Sequence, residues 1–162
     1  MFAGSTGANY QDTTITNDGF WPDINAGDFE QRRGIPAAQD GQRIAIALVN
    51  AMAEVNQQLA RLKARYESQG HQHVSDVKTF PVLEGKNRVE YQYESAVFAR
   101  AKADLLPDIA TVHTKDKGDH LAERSEQTRN ELLAESQRII RNMKGSIARR
   151  WICYDHAISS RL

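Results

Sequence analysis

Seven apolar residues, Ile44, Leu48, Met52, Val55, Leu59, Leu62 and Tyr66, recur at intervals of 4, 4, 3, 4, 3 and 4. Only a helix puts that spacing on one face, so residues 41–68 predict a long amphipathic helix. Asp40 is placed to cap its first turn and Gly70 to end it. Alanines at 45, 47, 51, 53 and 60 let a second helix approach closely on a neighbouring face. A stripe this long must be buried, and 162 residues can supply the rest of that core within one domain.

Two further helices are expected. The first runs from about Asn87 to Leu106 and is ended by Pro107. It carries one stripe of Val89, Tyr93, Val97, Ala101 and Leu105 and another of Ala96, Ala99, Ala103 and Leu106. Two apolar stripes mean burial on most sides, which makes it the central helix. The second runs from Asp119 to about Met143, with Leu121, Thr128, Leu132, Ile139 and Met143 inward, and Gly145 breaking the pattern. Residues 71–86, with Pro81 and Gly85, and residues 107–118 read as loops. The fold class is therefore all-α: a core of about three long helices over 41–143, an extended N-terminal arm over 1–40, and a C-terminal tail over 144–162. No repeat at a solenoid period is visible.

The arm contains one short helix, Asp28 to Arg33, stopped by Gly34. Its first sixteen residues are mostly small and polar, a composition compatible with disorder. Phe20-Trp21 instead seeks a surface, which is either a partner or the chain's own core. In the tail, Ile147, Trp151, Tyr154 and Ile158 have helical spacing, while Trp-Ile-Cys-Tyr equally suits a short strand. The candidate partner contacts are Phe20 and Trp21 in the arm and Arg149, Arg150, Trp151 and Tyr154 in the tail.

The search for chemistry finds no active site. His71 and His73 form an H-x-H pair with Asp76 nearby, a ligand set conceivable for zinc. Solvated loop residues are the simpler reading. Cys153 lies close to Arg149, Arg150 and His156, but a semi-buried structural thiol explains it better than a nucleophile does. A lone cysteine excludes an internal disulfide. Phosphate-loop, dinucleotide-binding and nucleophile-elbow patterns do not occur. The sequence predicts no enzyme, no cofactor and no metal.

The segment from Ile44 to Ala53 is the longest apolar stretch, about half of a bilayer span, so no membrane partner is expected. The N-terminal MFAGSTGANYQD lacks the features of a secretory signal. Charge is balanced at 21 Lys+Arg against 21 Asp+Glu, which argues against a generic basic nucleic-acid binder. The balance hides a gradient. Residues 1–40 carry 2 basic and 6 acidic side chains, whereas residues 138–162 carry 6 basic and 1 acidic.

Three segments taken together carry a resemblance: Asn17-Asp18-Gly19-Phe20-Trp21-Pro22-Asp23-Ile24 followed by Asp28-Phe29, then Ala51 to Ala60, then Tyr93 to Leu106. In this order and spacing they resemble the head-completion proteins, gene-product-L type, of tailed phages with contractile tails. The likeness covers roughly residues 15–142. Pro107-Asp108-Ile109-Ala110 and the aromatic, basic C-terminus depart from the family pattern.

The resemblance implies a virion structural protein, made in the host cytoplasm, that acts as a head-tail connector. Its implied partners are the phage portal protein, neighbouring copies of itself in a ring expected to be twelve-fold, and a connector on the neck or tail side. Packaged DNA in the ring lumen is a possible further contact. The implied role is to bind the portal after packaging, help retain DNA and provide a docking surface for the tail. The subunit is expected to be monomeric until a portal gathers it. The alternative reading is a nucleic-acid-binding module that uses the basic, aromatic C-terminal tail.

Overall fold

The computed structural model describes the backbone over residues 10–36, 39–113 and 118–158, and side chains over 10–36, 39–107 and 125–145. Among the described residues there are four α-helices: α1 (Ala26–Arg33), α2 (Gly41–Ser68), α3 (Arg88–His113) and α4 (Gly118–Ile158). Two antiparallel ribbons of two-residue strands complete it. One pairs β1 (Thr14–Ile15) with β2 (Ile24–Asn25); the other pairs β3 (Val82–Leu83) with β4 (Lys86–Asn87). The all-α class holds, with the ribbons as small additions.

All seven residues of the α2 stripe are buried, and Asp40 caps the helix by accepting from the Gln42 amide at 2.9 Å. The helix ends at Ser68, and Gly70 follows it at φ +90°. The central position of α3 is also as expected, since it packs against both α2 and α4. Val89, Tyr93, Val97, Ala101 and Leu105 are buried, as are Ala96, Ala99 and Ala103. On α4, Ser136, Ile140 and Met143 are buried, and Ser136 Oγ donates to the Ala96 carbonyl at 2.9 Å. A hydroxyl satisfied in this way lets two backbones approach closely without stranding a polar atom.

Three expectations need correction. Pro107 does not end α3, which runs on to His113. Pro107 is exposed, and the packing of α3 against α2 and α4 sustains the helix across the one missing amide donor. Gly145 does not end α4 either, since the helix passes through it to Ile158. Glycine lowers helix propensity by about 1 kcal/mol, less than a long helix with good neighbours can absorb. The break expected at residue 144 between core and tail is accordingly absent, and 144–158 extends a core helix instead of forming a separate tail. The connector residues 114–117 lie outside the described residues.

The arm is the third departure. Residues 10–36 fold back onto the helices and close one side of the core. Val74 N donates to the Phe20 carbonyl at 3.0 Å, and Ala26 N to the Thr13 carbonyl at 2.8 Å. Helix α1 starts two residues earlier than expected, capped by Asn25, whose Oδ1 accepts from the Asp28 amide at 3.1 Å. Gly34 ends it at φ +58°, a left-handed conformation that favours glycine.

Candidate functional site

Phe20 and Trp21, put forward as partner contacts, lie inside the subunit at 3% and 2% exposure. Trp21 stacks on Tyr93 with ring centroids 4.8 Å apart and planes 5° from parallel. Phe20 stacks on Tyr66 at 6.2 Å and meets Trp21 edge-on at 5.1 Å. The fold-back alternative therefore describes this pair, because four rings bury far more apolar area together than any of them would alone. A closed polar triangle seals the cluster. Asn17 Nδ2 donates to Tyr93 Oη at 2.8 Å, Tyr93 Oη donates to Asn56 Oδ1 at 2.7 Å, and Asn56 Nδ2 donates to Asn17 Oδ1 at 2.8 Å. Burial holds the Tyr93 hydroxyl well above its ordinary pKa, so it remains a neutral donor.

Charged side chains join α1 to the bundle in the same way. The Glu94 carboxylate, 3% exposed, accepts from Arg32 and from Lys86, each at 2.6 Å. Arg32 also lies over the Phe98 ring at 4.8 Å. Arg33 reaches Glu135 on α4 at 3.0 Å and the Ser95 carbonyl at 3.0 Å. Lys102 Nζ donates to the Arg33 carbonyl at 2.6 Å, and burial, with Arg33 nearby, lowers its pKa. These carboxylates and cations serve as ties between helices.

The H-x-H pair is structural as well. His73 Nδ1 lies 2.7 Å from the Gly19 carbonyl, and Asp76 Oδ2 accepts from the amides of His73 and Gln72 at 2.9 and 3.1 Å. Among the described residues, no group of three or more His, Cys, Asp or Glu is arranged to hold a metal ion. In the tail, the helical backbone of α4 passes through Arg149, Arg150, Trp151 and Tyr154, so helix replaces strand there. The side chains of these four candidates lie outside the described residues.

The surface that sequence reasoning missed is the β3–β4 hairpin. Phe80, Val82 and Leu83 are 79%, 51% and 62% exposed. The hairpin is held firmly from behind. Its two-residue loop, Glu84-Gly85, has both φ values positive, at +50° and +79°, the turn that suits the twist of paired strands. Tyr91 Oη donates to the Leu83 carbonyl at 3.0 Å. Asn87, at the base, caps α3 by accepting from the Val89 and Glu90 amides at 2.8 and 3.2 Å, while Glu90 accepts from the Asn87 amide at 2.7 Å. A rigid turn that holds three large apolar side chains in water suits binding better than catalysis. A second apolar pair, Ile46 and Val49, stands 53% and 49% exposed on α2.

The sequence matches the phage head completion protein (GPL) family over residues 15–153. The chain belongs to that family. Its matched region starts in β1 and ends within α4, so it takes in the aromatic arm, the hairpin and the helix beyond Gly145. The chain is 37% identical over 145 residues to a probable head completion/stabilization protein of Haemophilus phage HP1, covering 90% of this chain and 94% of the relative. It is 28% identical over 135 residues to the head completion/stabilization protein of Escherichia phage P2, covering 83% and 75% of the two chains. No solved structure matches it. For a head completion protein, the missed signal was Phe80-Pro81-Val82-Leu83 beside Glu84-Gly85, an apolar run and a turn inside a stretch read as a loop.

Proposed function

We propose that this head completion protein is a structural virion component that binds the portal vertex after DNA packaging, helps retain the DNA and presents a docking surface to the neck and tail. Copies assemble into a ring on the portal, expected to be twelve-fold. The observation that carries this reading is the anchored apolar hairpin. A catalyst needs converging reactive groups, whereas an assembly subunit needs a rigid apolar projection and somewhere to seat it.

The chain carries two such surfaces in different places. The hairpin sits beside the C-terminal end of α2, through Val74, Phe20 and Tyr66, while Ile46 and Val49 lie towards the N-terminal end. From Val49 to Tyr66 is 17 helical residues, about 25 Å along the axis. Two apolar patches on separate surfaces favour a head-to-tail contact between copies, the interface type that closes into a ring. The hairpin of one copy is assigned to its neighbour, and the pairwise contact is weak until the portal raises the effective concentration.

The test is assembly in vitro on purified portal rings, followed by imaging of the neck in intact virions. Phe80→Ser with Leu83→Ser should leave the monomer folded and abolish ring formation on the portal. Phage lacking the protein should yield packaged heads that leak DNA and accept no tails. Normal rings from the double variant would remove the hairpin from the interface. Stable full heads without the protein would overturn the connector role.

A further inference from the structure

Among the described residues, the outward face of α2 lacks the charges that a solvated helix face usually carries. Ile46, Val49, Ala53, Gln57, Ala60 and Ala64 recur at intervals of 3, 4, 4, 3 and 4, and all six are exposed. They lie on the side of the helix opposite its buried stripe and span 18 residues, about 27 Å. The charged residues between them stand to either side. Glu54 pairs with Arg100 on α3, Lys63 pairs with Asp18 of the arm, and Arg61 and Arg65 line a cavity of about 280 Å³ with Lys144 of α4. A helix face of this length, with two large aliphatic side chains and no charge, suits contact with protein better than contact with water.

We infer that this face is the contact of an isologous dimer, in which α2 of a second copy packs against it antiparallel. The stripe is graded in size, with Ile46 and Val49 at one end and Ala60 and Ala64 at the other. Turning a second copy end for end sets Ile46 against Ala64 of the other copy, Val49 beside Ala60, and Ala53 against Gln57. Each large side chain then meets a small one, which is how close packing is reached without voids. A parallel arrangement would crowd the aliphatic ends together and leave the alanine ends hollow. Charge follows the same two-fold relation, since Arg43 near the start of the helix comes to Glu67 of the other copy near its end. The two Gln57 amides, each able to donate and accept, lie close to the axis. A hairpin from a neighbour is the other apolar occupant this chain could supply. From Phe80 to Leu83 it extends about 10 Å, less than half of the stripe.

A contact about 27 Å long and about 10 Å wide is smaller than the roughly 1,200 Å² that stable complexes bury, so the dimer is weak and forms only at high concentration. Pairing covers Ile46 and Val49. On the connector reading, the dimer is therefore the free form, and it opens when copies gather on the portal. The dimer itself does not rest on that reading.

The experiment is sedimentation equilibrium of the full chain from micromolar to millimolar concentration. Wild type should pass reversibly from monomer to dimer. Ile46→Ala and Ala64→Ile should each weaken dimerisation about tenfold or more, because each change enters a two-fold contact twice. Both positions are exposed, so the circular dichroism spectrum should not change. The two substitutions combined exchange large for small and should restore the dimer towards wild-type strength. A wild type that stays monomeric at millimolar concentration would overturn the inference and spare the connector. A combined variant no tighter than the single ones would overturn it too, since the antiparallel register would be wrong. Loss of the dimer in Phe80→Ser with Leu83→Ser would give the stripe to a neighbour's hairpin, again against the inference; a dimer that survives that change supports it. A dimer made through α2 by a protein that never forms rings on portal would sustain the inference and sink the connector reading.

Discussion

Asp18 is the residue on which the arm turns. Its Oδ1 accepts from the Phe20 and Trp21 amides at 3.0 Å each, and its Oδ2 accepts from Lys63 at 2.8 Å. Burial pushes its carboxyl up, but the Lys63 hydrogen bond and the two amides outweigh that and leave its pKa lowered. A carboxyl depressed in the fold contributes stability above its unfolded pKa, about 3.9, and loses it as pH falls through the folded value. Asp18→Ala should therefore cost about 1–2 kcal/mol at neutral pH. It should also flatten the loss of stability below about pH 4. Urea titrations at several pH values, read by Trp21 fluorescence in a Trp151→Phe background, would measure both. Gly27 is the second sensitive position, because a Cβ there would come within 2.2 Å of the Gln11 carbonyl oxygen. Gln11 is also tied to Glu30, its amide donating at 3.0 Å and its Nε2 at 2.7 Å. Gly27→Ala should cost about 1–3 kcal/mol in thermal denaturation and speed amide exchange at Gln11.

Among the elements, α2 was legible in full, because its seven-residue stripe and Asp40 cap are local signals that its surroundings reinforce. The ends of α3 and α4 were not legible. Pro107 and Gly145 are breakers judged by propensity, and propensity yields to the packing of a long helix. Gly145→Ala tests this directly. A Cβ at Gly145 meets nothing within 4 Å, so the substitution should stabilise the protein by about 1 kcal/mol, seen as a raised melting temperature. If Gly145 were a break, alanine would bring no gain. The α4 stripe was misread at several positions: Thr128 is exposed, Leu132 and Ile139 are half-buried, and the buried residues are Ser136, Ile140 and Met143, of which Ser136 looks like a surface residue until the Ala96 carbonyl is there to accept its proton. The hairpin went unseen because a two-residue turn that begins with glutamate departs from the usual Asn-Gly and Asp-Gly signals.

At the scale of the whole molecule, stability and assembly occupy different surfaces. Phe20, Trp21, Tyr66 and Tyr93 and the inter-helix ion pairs are engaged within the subunit, while Phe80, Val82 and Leu83 stand outside. The hairpin double variant should accordingly match wild type in monomer melting temperature while failing to form rings on the portal. A variant that lost both together would make the hairpin a part of the fold. The charge gradient gains a spatial meaning at this scale too. The basic C-terminal segment meets Arg61 and Arg65 at Lys144, a convergence of residues some eighty positions apart.

By itself the sequence determined the helical class, the α2 and α3 faces, the short α1 helix with its Gly34 stop, and the family likeness. Each depends on spacing along the chain, which the 3.6-residue turn converts directly into a face. Only the tertiary structure decided that Phe20 and Trp21 turn inward, that α4 continues past Gly145, that a hairpin projects Phe80, and that Arg61, Arg65 and Lys144 share a cavity. Those outcomes depend on which distant residue stands opposite. An aromatic pair is a partner contact or a core contact according to whether Tyr66 and Tyr93 lie within reach, and that distance is set by the fold.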